Sequence, residues 1–351
     1  MAVRRQPRLR ELANDLGVSI TTVSRALAGY SDVSEATRAR VTEAAKARGY
    51  VPSRVGRMLV SGRTDFIGMV LPVRDGHLMD SFLGEFVAGL SEGLTARGRD
   101  LFIATAPRLH GEAEVVRHMI DGDRADAIVL NRTEIDDQRI HVLVNRQFPF
   151  VAHGRILTAA NDFVWFDTDG TAAFADAARM LIELGHRRFG LVTINEPFTF
   201  AQLRRRGLEE ALSEAGLTLP NTAVRLVSMM DETAAVAAAG DLLSSDERPT
   251  AIFGITDAQA IAVLKAAAAQ SMSVPADLSV IGFDDLPIAA YAQPALSTFD
   301  QHARESAAVI AGMVTDMLDK GPQAVKSRLV KPGFTARASH GPAPLKRRRH
   351  A

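Results

Sequence analysis

Within seven positions, Ser19, Ile20, Thr21, Thr22, Ser24 and Arg25 bring together small hydroxyl groups, methyl-bearing side chains and one guanidinium. That combination suits the major groove of DNA. Short side chains let a helix backbone approach the bases, methyl groups meet thymine, and an arginine fork pairs with O6 and N7 of guanine. Ile20, Thr21 and Arg25 therefore read as base-contacting residues. The hydroxyls of Ser19, Thr22 and Ser24 read as donors to phosphates, which fix a helix in place without reading sequence.

The elements that must position these residues are legible around them. Leu9, Leu12, Ala13 and Leu16 recur at helical spacing, and Gly17 stops that helix. Ser19 caps a second helix, with Val18 and Val23 placed as a hydrophobic staple. A third helix begins at the cap Ser34 and ends at Gly49. Two short helices joined by a glycine turn predict a helix-turn-helix over residues 1–49. Charge agrees: residues 1–60 hold 11 Lys and Arg against 5 Asp and Glu in a chain of net charge zero, so a basic head is joined to an acidic remainder. That asymmetry points to a polyanion meeting the first segment alone. Residues 50–62 contain Pro52 and room for only about two helical turns, too few to be stable in water unless something packs on them.

From residue 65 the pattern changes to short apolar runs alternating with amphipathic helices. Strands are expected at 66–71, 101–105, 127–130, 150–152, 164–166, 189–193, 251–254 and 280–283, with glycines closing several of the helices between them. Such alternation predicts parallel sheets covered by helices, and the series restarts near residue 161, which suggests two similar α/β subdomains. Ligands of open parallel sheets sit beyond the C-terminal strand ends. That rule selects Phe82, Asn131, Arg132, His153, Trp165, Thr256 and Asp284 as cleft-lining residues. Residues 341–351, rich in Pro and Arg, read as a disordered basic tail.

Other chemistries find little support. There is no cysteine, hence no disulfide, thiolate metal site or cysteine nucleophile. Nucleophile-elbow, Walker, zinc-protease and dinucleotide-binding motifs are absent, so neither catalysis nor a cofactor is expected. The acidic residues show no spaced calcium-loop pattern, and no metal is expected either. With no apolar run of membrane-spanning length and no leader-like N-terminus, the expected location is the cytoplasm.

Residues 12–27, 33–38 and 49–52 together closely resemble the LacI/GalR family of bacterial regulators, and the resemblance continues through 67–72, 184–188, 204–207, 280–285 and 296–298. It implies a small all-α helix-turn-helix domain followed, over 63–340, by a two-lobed periplasmic-binding-protein-like domain that binds an effector and dimerises. A homodimer binding a pseudo-palindromic operator in double-stranded DNA, most often as a repressor, is the implied partner arrangement. The resemblance places Ser53, Arg54 and Leu59 in a hinge that folds on DNA, with Leu59 as the minor-groove wedge. Ser53 and Gly56 stand where asparagine and alanine are common, and a glycine costs a helix roughly 0.5–1 kcal/mol. It also assigns Arg204 and Asp284 the principal polar contacts to effector, while Thr256 and Gly154 replace a common asparagine and aspartate. A sugar fits such a set best, and a base or nucleoside stacked on Phe82 or Trp165 is the alternative. An enzyme or a sugar-binding protein without DNA regulation are the rival classes.

Overall fold

The computed structural model describes residues 9–27, 30–50, 62–73, 80–106, 111–158 and 162–344. Ser53, Arg54, Gly56 and Leu59 lie outside the described residues. The chain divides into two units, Met1–Asp65 and Phe66–Ala351.

In the first unit, helices α1 (Leu9–Leu16), α2 (Ile20–Leu27) and α3 (Glu35–Ala47) enclose a core of Leu12, Ala13, Val23, Ala26, Val33, Val41 and Ala45. Gly17 and Gly49 hold the left-handed backbone that ends α1 and α3, at φ 64° and 63°. The caps form as the sequence requires. Ser19 Oγ accepts the Thr22 amide at 3.0 Å, and Ser34 Oγ accepts that of Thr37 at 3.3 Å. The Arg38 guanidinium donates to the carbonyls of Tyr30 and Val33, tying the chain entering α3 to that helix.

The second unit holds two large parallel sheets, each covered by helices on both faces, and a small two-stranded antiparallel pair. The first lobe is a six-stranded parallel sheet built from β1 (Phe66–Pro72), β2 (Asp100–Ala106), β3 (Ala127–Leu130), β4 (Phe150–His153), β5 (Trp165–Thr168) and β11 (Arg328–Val330), in the order β11-β5-β4-β3-β1-β2. One face packs against α4 (Ser81–Thr95) and α12 (Ala303–Lys320) through Met69, Phe86, Leu90, Ile310 and Val314. The other packs against α5 (Glu112–Asp121) and α6 (Gln138–Asn145) through Val116, Met119, Ile140 and Leu143. The second lobe has four parallel strands: β6 (Phe189–Ile194), β7 (Val224–Val227), β8 (Ala251–Gly254) and β9 (Ser279–Ile281), ordered β7-β6-β8-β9. Helices α7 (Gly170–Glu183) and α8 (Thr199–Glu214) cover one side through Phe174 and Leu208, and α9 (Glu232–Leu243) and α10 (Asp257–Ala269) cover the other through Leu242 and Val263.

The lobes are not consecutive halves of the chain. After the second sheet and the short helix α11 (Pro287–Tyr291), β10 (Thr298–Asp300) pairs antiparallel with β12 (Gly333–Thr335), while α12 and β11 between them return to the first lobe. Nor does the ordered chain stop at residue 340. The Gly341 carbonyl accepts from His186 Nε2 at 3.0 Å, and the Ala343 amide donates to Leu184 O at 2.8 Å. Residues 341–344 are thus docked on the second lobe rather than part of a free tail, and 345–351 lie outside the described residues.

Candidate functional site

On α2, Val23 and Ala26 turn into the core, which leaves Ile20, Thr21 and Arg25 exposed together. Ile20 is 42% exposed, a large apolar side chain held in solvent at the first turn of a helix. Arg25 is already engaged: its guanidinium meets Asp32 at 2.7 Å and lies over the Tyr30 ring at 5.0 Å. A surface pair of this kind is weak and exchanges readily for a base. Ser19 and Thr22 are less free than the sequence suggests. Their hydroxyls bond each other at 2.8 Å while Ser19 caps the helix, so one of the two protons expected to reach phosphate is already used.

Between the lobes of the second unit lies a cleft with about 630 Å³ of space not filled by protein. Its walls come from strand ends and helix starts: Asn131 and Arg132 follow β3, His153 ends β4, Asp167 and Thr168 end β5, and Thr199, Phe200 and Arg204 begin α8. Four buried polar atoms here have no hydrogen-bond partner within the protein: Asn131 Oδ1, Thr168 Oγ1, Thr199 Oγ1 and Arg204 Nε. Native interiors seldom leave such atoms unmatched, so their concentration in one cleft, from both lobes, points to a polar ligand.

The charged groups are held in pairs. Arg204 is 5% exposed, donates to Ile255 O at 2.6 Å and lies 3.9 Å from Asp284 Oδ1. Its guanidinium sits 3.6 Å from the centre of the Phe283 ring and 4.6 Å from that of Phe200, and Gly170 leaves room for its stem. Asp284 accepts from Gln301 Nε2 at 2.6 Å and is held at φ 125°, a backbone conformation costly for a non-glycine residue. Burial, opposed only partly by the more distant Arg204, pushes its carboxyl up to about 8. Burial likewise draws Arg204 down to about 10. Arg155 Nε meets Asp167 at 2.8 Å, and Arg132 pairs with Asp80. His153 lies against Phe82, Phe86 and Phe166. That burial, with the charges of Arg204 and Arg132, lowers it to about 4, so the ring is neutral near pH 7. Asn131 Nδ2 then donates to His153 Nδ1 at 3.0 Å, which leaves Asn131 Oδ1 as the free acceptor.

Of the residues selected from sequence, Phe82, Asn131, Arg132, His153, Arg204, Thr256 and Asp284 line this one cleft. Trp165 does not. It stands at the beginning of β5, where strand ends do not face the cleft, and it packs with the first lobe's core under the Arg155 guanidinium at 5.2 Å. Thr256 is in the wall, but its hydroxyl is committed: it caps α10 by accepting the Ala258 amide at 3.2 Å and donates to Gln259 Oε1 at 2.5 Å. Gly154 carries φ 117° and abuts the Thr133 hydroxyl, which accounts for the missing side chain. Sequence reading missed Thr133, Arg155, Asp167, Thr168, Thr199, Phe200, Met229 and Gln301. Asp285, beside Asp284, instead pairs with Arg337 at 2.6 Å. Among the described residues, no group of three or more His, Asp or Glu is placed to hold a metal, and no helix is long and apolar enough to cross a membrane.

Residues 8–53 match the bacterial regulatory proteins of the lacI family, and residues 178–340 match the periplasmic binding protein-like domain. The HTH-type transcriptional regulator AglR of Rhizobium meliloti (strain 1021) is 35% identical over 341 residues, 96% of this chain and 95% of that protein. The regulator CelR of Thermobifida fusca is 32% identical, over 91% of this chain and 94% of its own. Among solved structures, the transcriptional regulator CelR-cellobiose complex superposes with a TM-score of 0.72 at 28% identity, covering 95% of this chain and 99% of that one. The lac repressor dimer bound to operator and the anti-inducer ONPF shares the fold, with a TM-score of 0.82 at 21% identity over 95% and 99% of the two chains.

Proposed function

Because the chain belongs to the lacI family of bacterial regulatory proteins, and is thus a DNA-binding transcriptional regulator, we propose that its cleft holds an uncharged sugar. In this reading the protein is a cytoplasmic homodimeric repressor, and the sugar sets its grip on a pseudo-palindromic operator. Residues 1–49 read the DNA, 50–62 form the link that meets the minor groove, and 63–340 bind effector and dimerise. The observation that carries the sugar is the set of unmatched atoms in the cleft. An acceptor, a guanidinium N–H and two hydroxyls, beside Phe82 and Phe200, match a ring with hydroxyls at its edge and C–H groups on its face. Charge narrows the class. Two of the cleft's arginines, Arg132 and Arg155, are paired with Asp80 and Asp167, so an anionic ligand would have to displace a carboxylate to reach either. The relative CelR, solved with cellobiose, supports the same class.

The test has two parts, both on the full chain. Neutral sugars should raise the melting temperature, since a ligand specific to the folded state stabilises it. On an operator selected from random duplexes, Arg25→Ala should weaken binding by about 1–3 kcal/mol per half-site at fixed salt, with melting unchanged. Wild-type affinity in that variant would remove Arg25 from the reading surface.

A further inference from the structure

The reading face of α2 has an acidic neighbour. Asp32 lies between α2 and α3, in the segment whose excess of Lys and Arg suits it to a polyanion, and it stands half exposed beside Arg25. A carboxylate at that place is repelled by phosphate. Its position is nonetheless fixed by the fold. The Tyr30 amide donates to the Arg25 carbonyl at 3.1 Å, the Arg38 guanidinium holds the carbonyls of Tyr30 and Val33, and Val33 is buried in the core of the three helices. Both ends of the connection are pinned, so the backbone itself presents Asp32 to Arg25.

The Arg25 guanidinium is thereby held from two directions. Asp32 Oδ2 meets its Nη2 at 2.7 Å, and its Cζ stands over the Tyr30 ring, 5.0 Å from the centre. A guanidinium has five N–H groups, and the carboxylate contact engages Nη2 alone. The side chain can therefore offer Nη1 and the second hydrogen of Nη2 to O6 and N7 of guanine without letting go of Asp32. A phosphate is a different case, because it is an anion and must compete with the carboxylate for the same charge. As a source of stability such a surface pair is weak. Its effect here is on direction: it removes rotamer freedom that a long side chain otherwise loses on binding.

We infer that Asp32 is a specificity-determining residue of the DNA-binding unit, which stays with Arg25 in the operator complex, aims its guanidinium at a guanine and holds it back from phosphates. This goes beyond the assignment of Arg25 to the reading surface and rests on it.

The sign of one substitution separates this role from simple charge. A carboxylate that acted only by repelling DNA would, on removal, tighten every duplex alike. Removing an aiming group weakens the operator and spares or tightens DNA of other sequence. In anisotropy titrations of the full-length protein at fixed salt, Asp32→Ala should bind the selected operator about tenfold more weakly, from roughly threefold at each of two half-sites. A scrambled duplex of the same composition should bind at least as well as it does to wild type, and the melting temperature should not move. The loss should be confined to one base pair per half-site, the pair whose replacement costs nothing further in Arg25→Ala. In an Arg25→Ala background, Asp32→Ala should no longer weaken the operator. Operator and scrambled duplex tightening together, or the same operator loss with and without Arg25, would overturn the aiming role while leaving Arg25 on the reading surface. Wild-type operator affinity in Arg25→Ala would remove Arg25 from that surface, and the aiming role with it.

Discussion

Asp284 concentrates the chemistry of the cleft in one side chain. Burial holds its carboxyl up to about 8, so below that pH it carries a proton and contributes no negative charge opposite Arg204. Ligand hydroxyls donate best to a carboxylate, so binding draws the group toward its ionised form and expels the proton. The sign follows. Effector affinity should rise with pH by up to about tenfold per unit between 6 and 8, then level off above 8. Calorimetry in buffers of different ionisation heat should register about one proton released per ligand bound at the lower pH. Asp284→Asn should bind more weakly, with a flat pH profile. A pH-dependent profile surviving in that variant would assign the proton elsewhere. Much of this site is legible in the sequence, because Asn131, His153 and Thr256 follow apolar runs whose C-terminal ends must face a ligand. Trp165 misleads because strand β5 extends two residues past the apolar run, so Asp167 and Thr168 at its end occupy the cleft instead. Thr199, Phe200 and Gln301 carry no local signal, since only the packing of distant segments brings them to the wall.

Helices α7 and α8 set the floor on which Arg204 stands, and their approach depends on Gly207. A methyl there would overlap the backbone carbonyl of Thr171, and Thr171 Oγ1 in turn donates to Leu203 O at 3.1 Å. Gly207→Ala must therefore push the two helices apart rather than rotate a side chain away. Overpacking of this kind costs about 1–3 kcal/mol, or roughly 4–8 °C of melting temperature near 2 kcal/mol for a domain of this size. Because Arg204 is one turn away on the same helix, effector affinity should fall as well. A variant that melts and binds as wild type would mean that the helices already stand further apart than the contact requires. At this scale strands 127–130 and 251–254 are plain from their short apolar runs, and the caps of the second and third helices from Ser19 and Ser34. The return of Ala303–Lys320 to the first lobe is not. Its amphipathic face fits either sheet, and the choice is made by α4, more than two hundred residues earlier, whose Gly89 lies against the backbone of Arg304. The edge strand Val224–Val227 was also missed, because Arg225 interrupts an apolar run only four residues long.

Across the whole molecule the question is what a ligand in the second unit can change. The lobes touch directly on one side of the cleft, where the Thr199 amide donates to Thr133 O at 3.0 Å and the Ile135 amide to Pro197 O at 2.9 Å. Two such bonds favour closure by about 0.5–1.5 kcal/mol each, whereas each of the four unmatched polar atoms enclosed by it costs about 1–3 kcal/mol. Without ligand that penalty works against the closed arrangement. A ligand that satisfies those atoms reverses the balance, because its contacts exist only when both lobes surround it. That difference in affinity between two states is the only currency in which a ligand can act at a distance. Coupling energies between sites commonly run about 1–3 kcal/mol, so saturating effector should change operator affinity by about 5- to 150-fold. Linkage then requires that saturating operator change effector affinity, per dimer, by the same factor in the same direction. Anisotropy titrations of operator with and without effector, set against calorimetry of effector with and without operator, measure both sides of this cycle. Asp284→Asn, which weakens the ligand, should leave operator affinity without effector within about twofold of wild type. Effector affinity indifferent to operator would mean that closing the cleft is not transmitted to the basic unit that meets DNA.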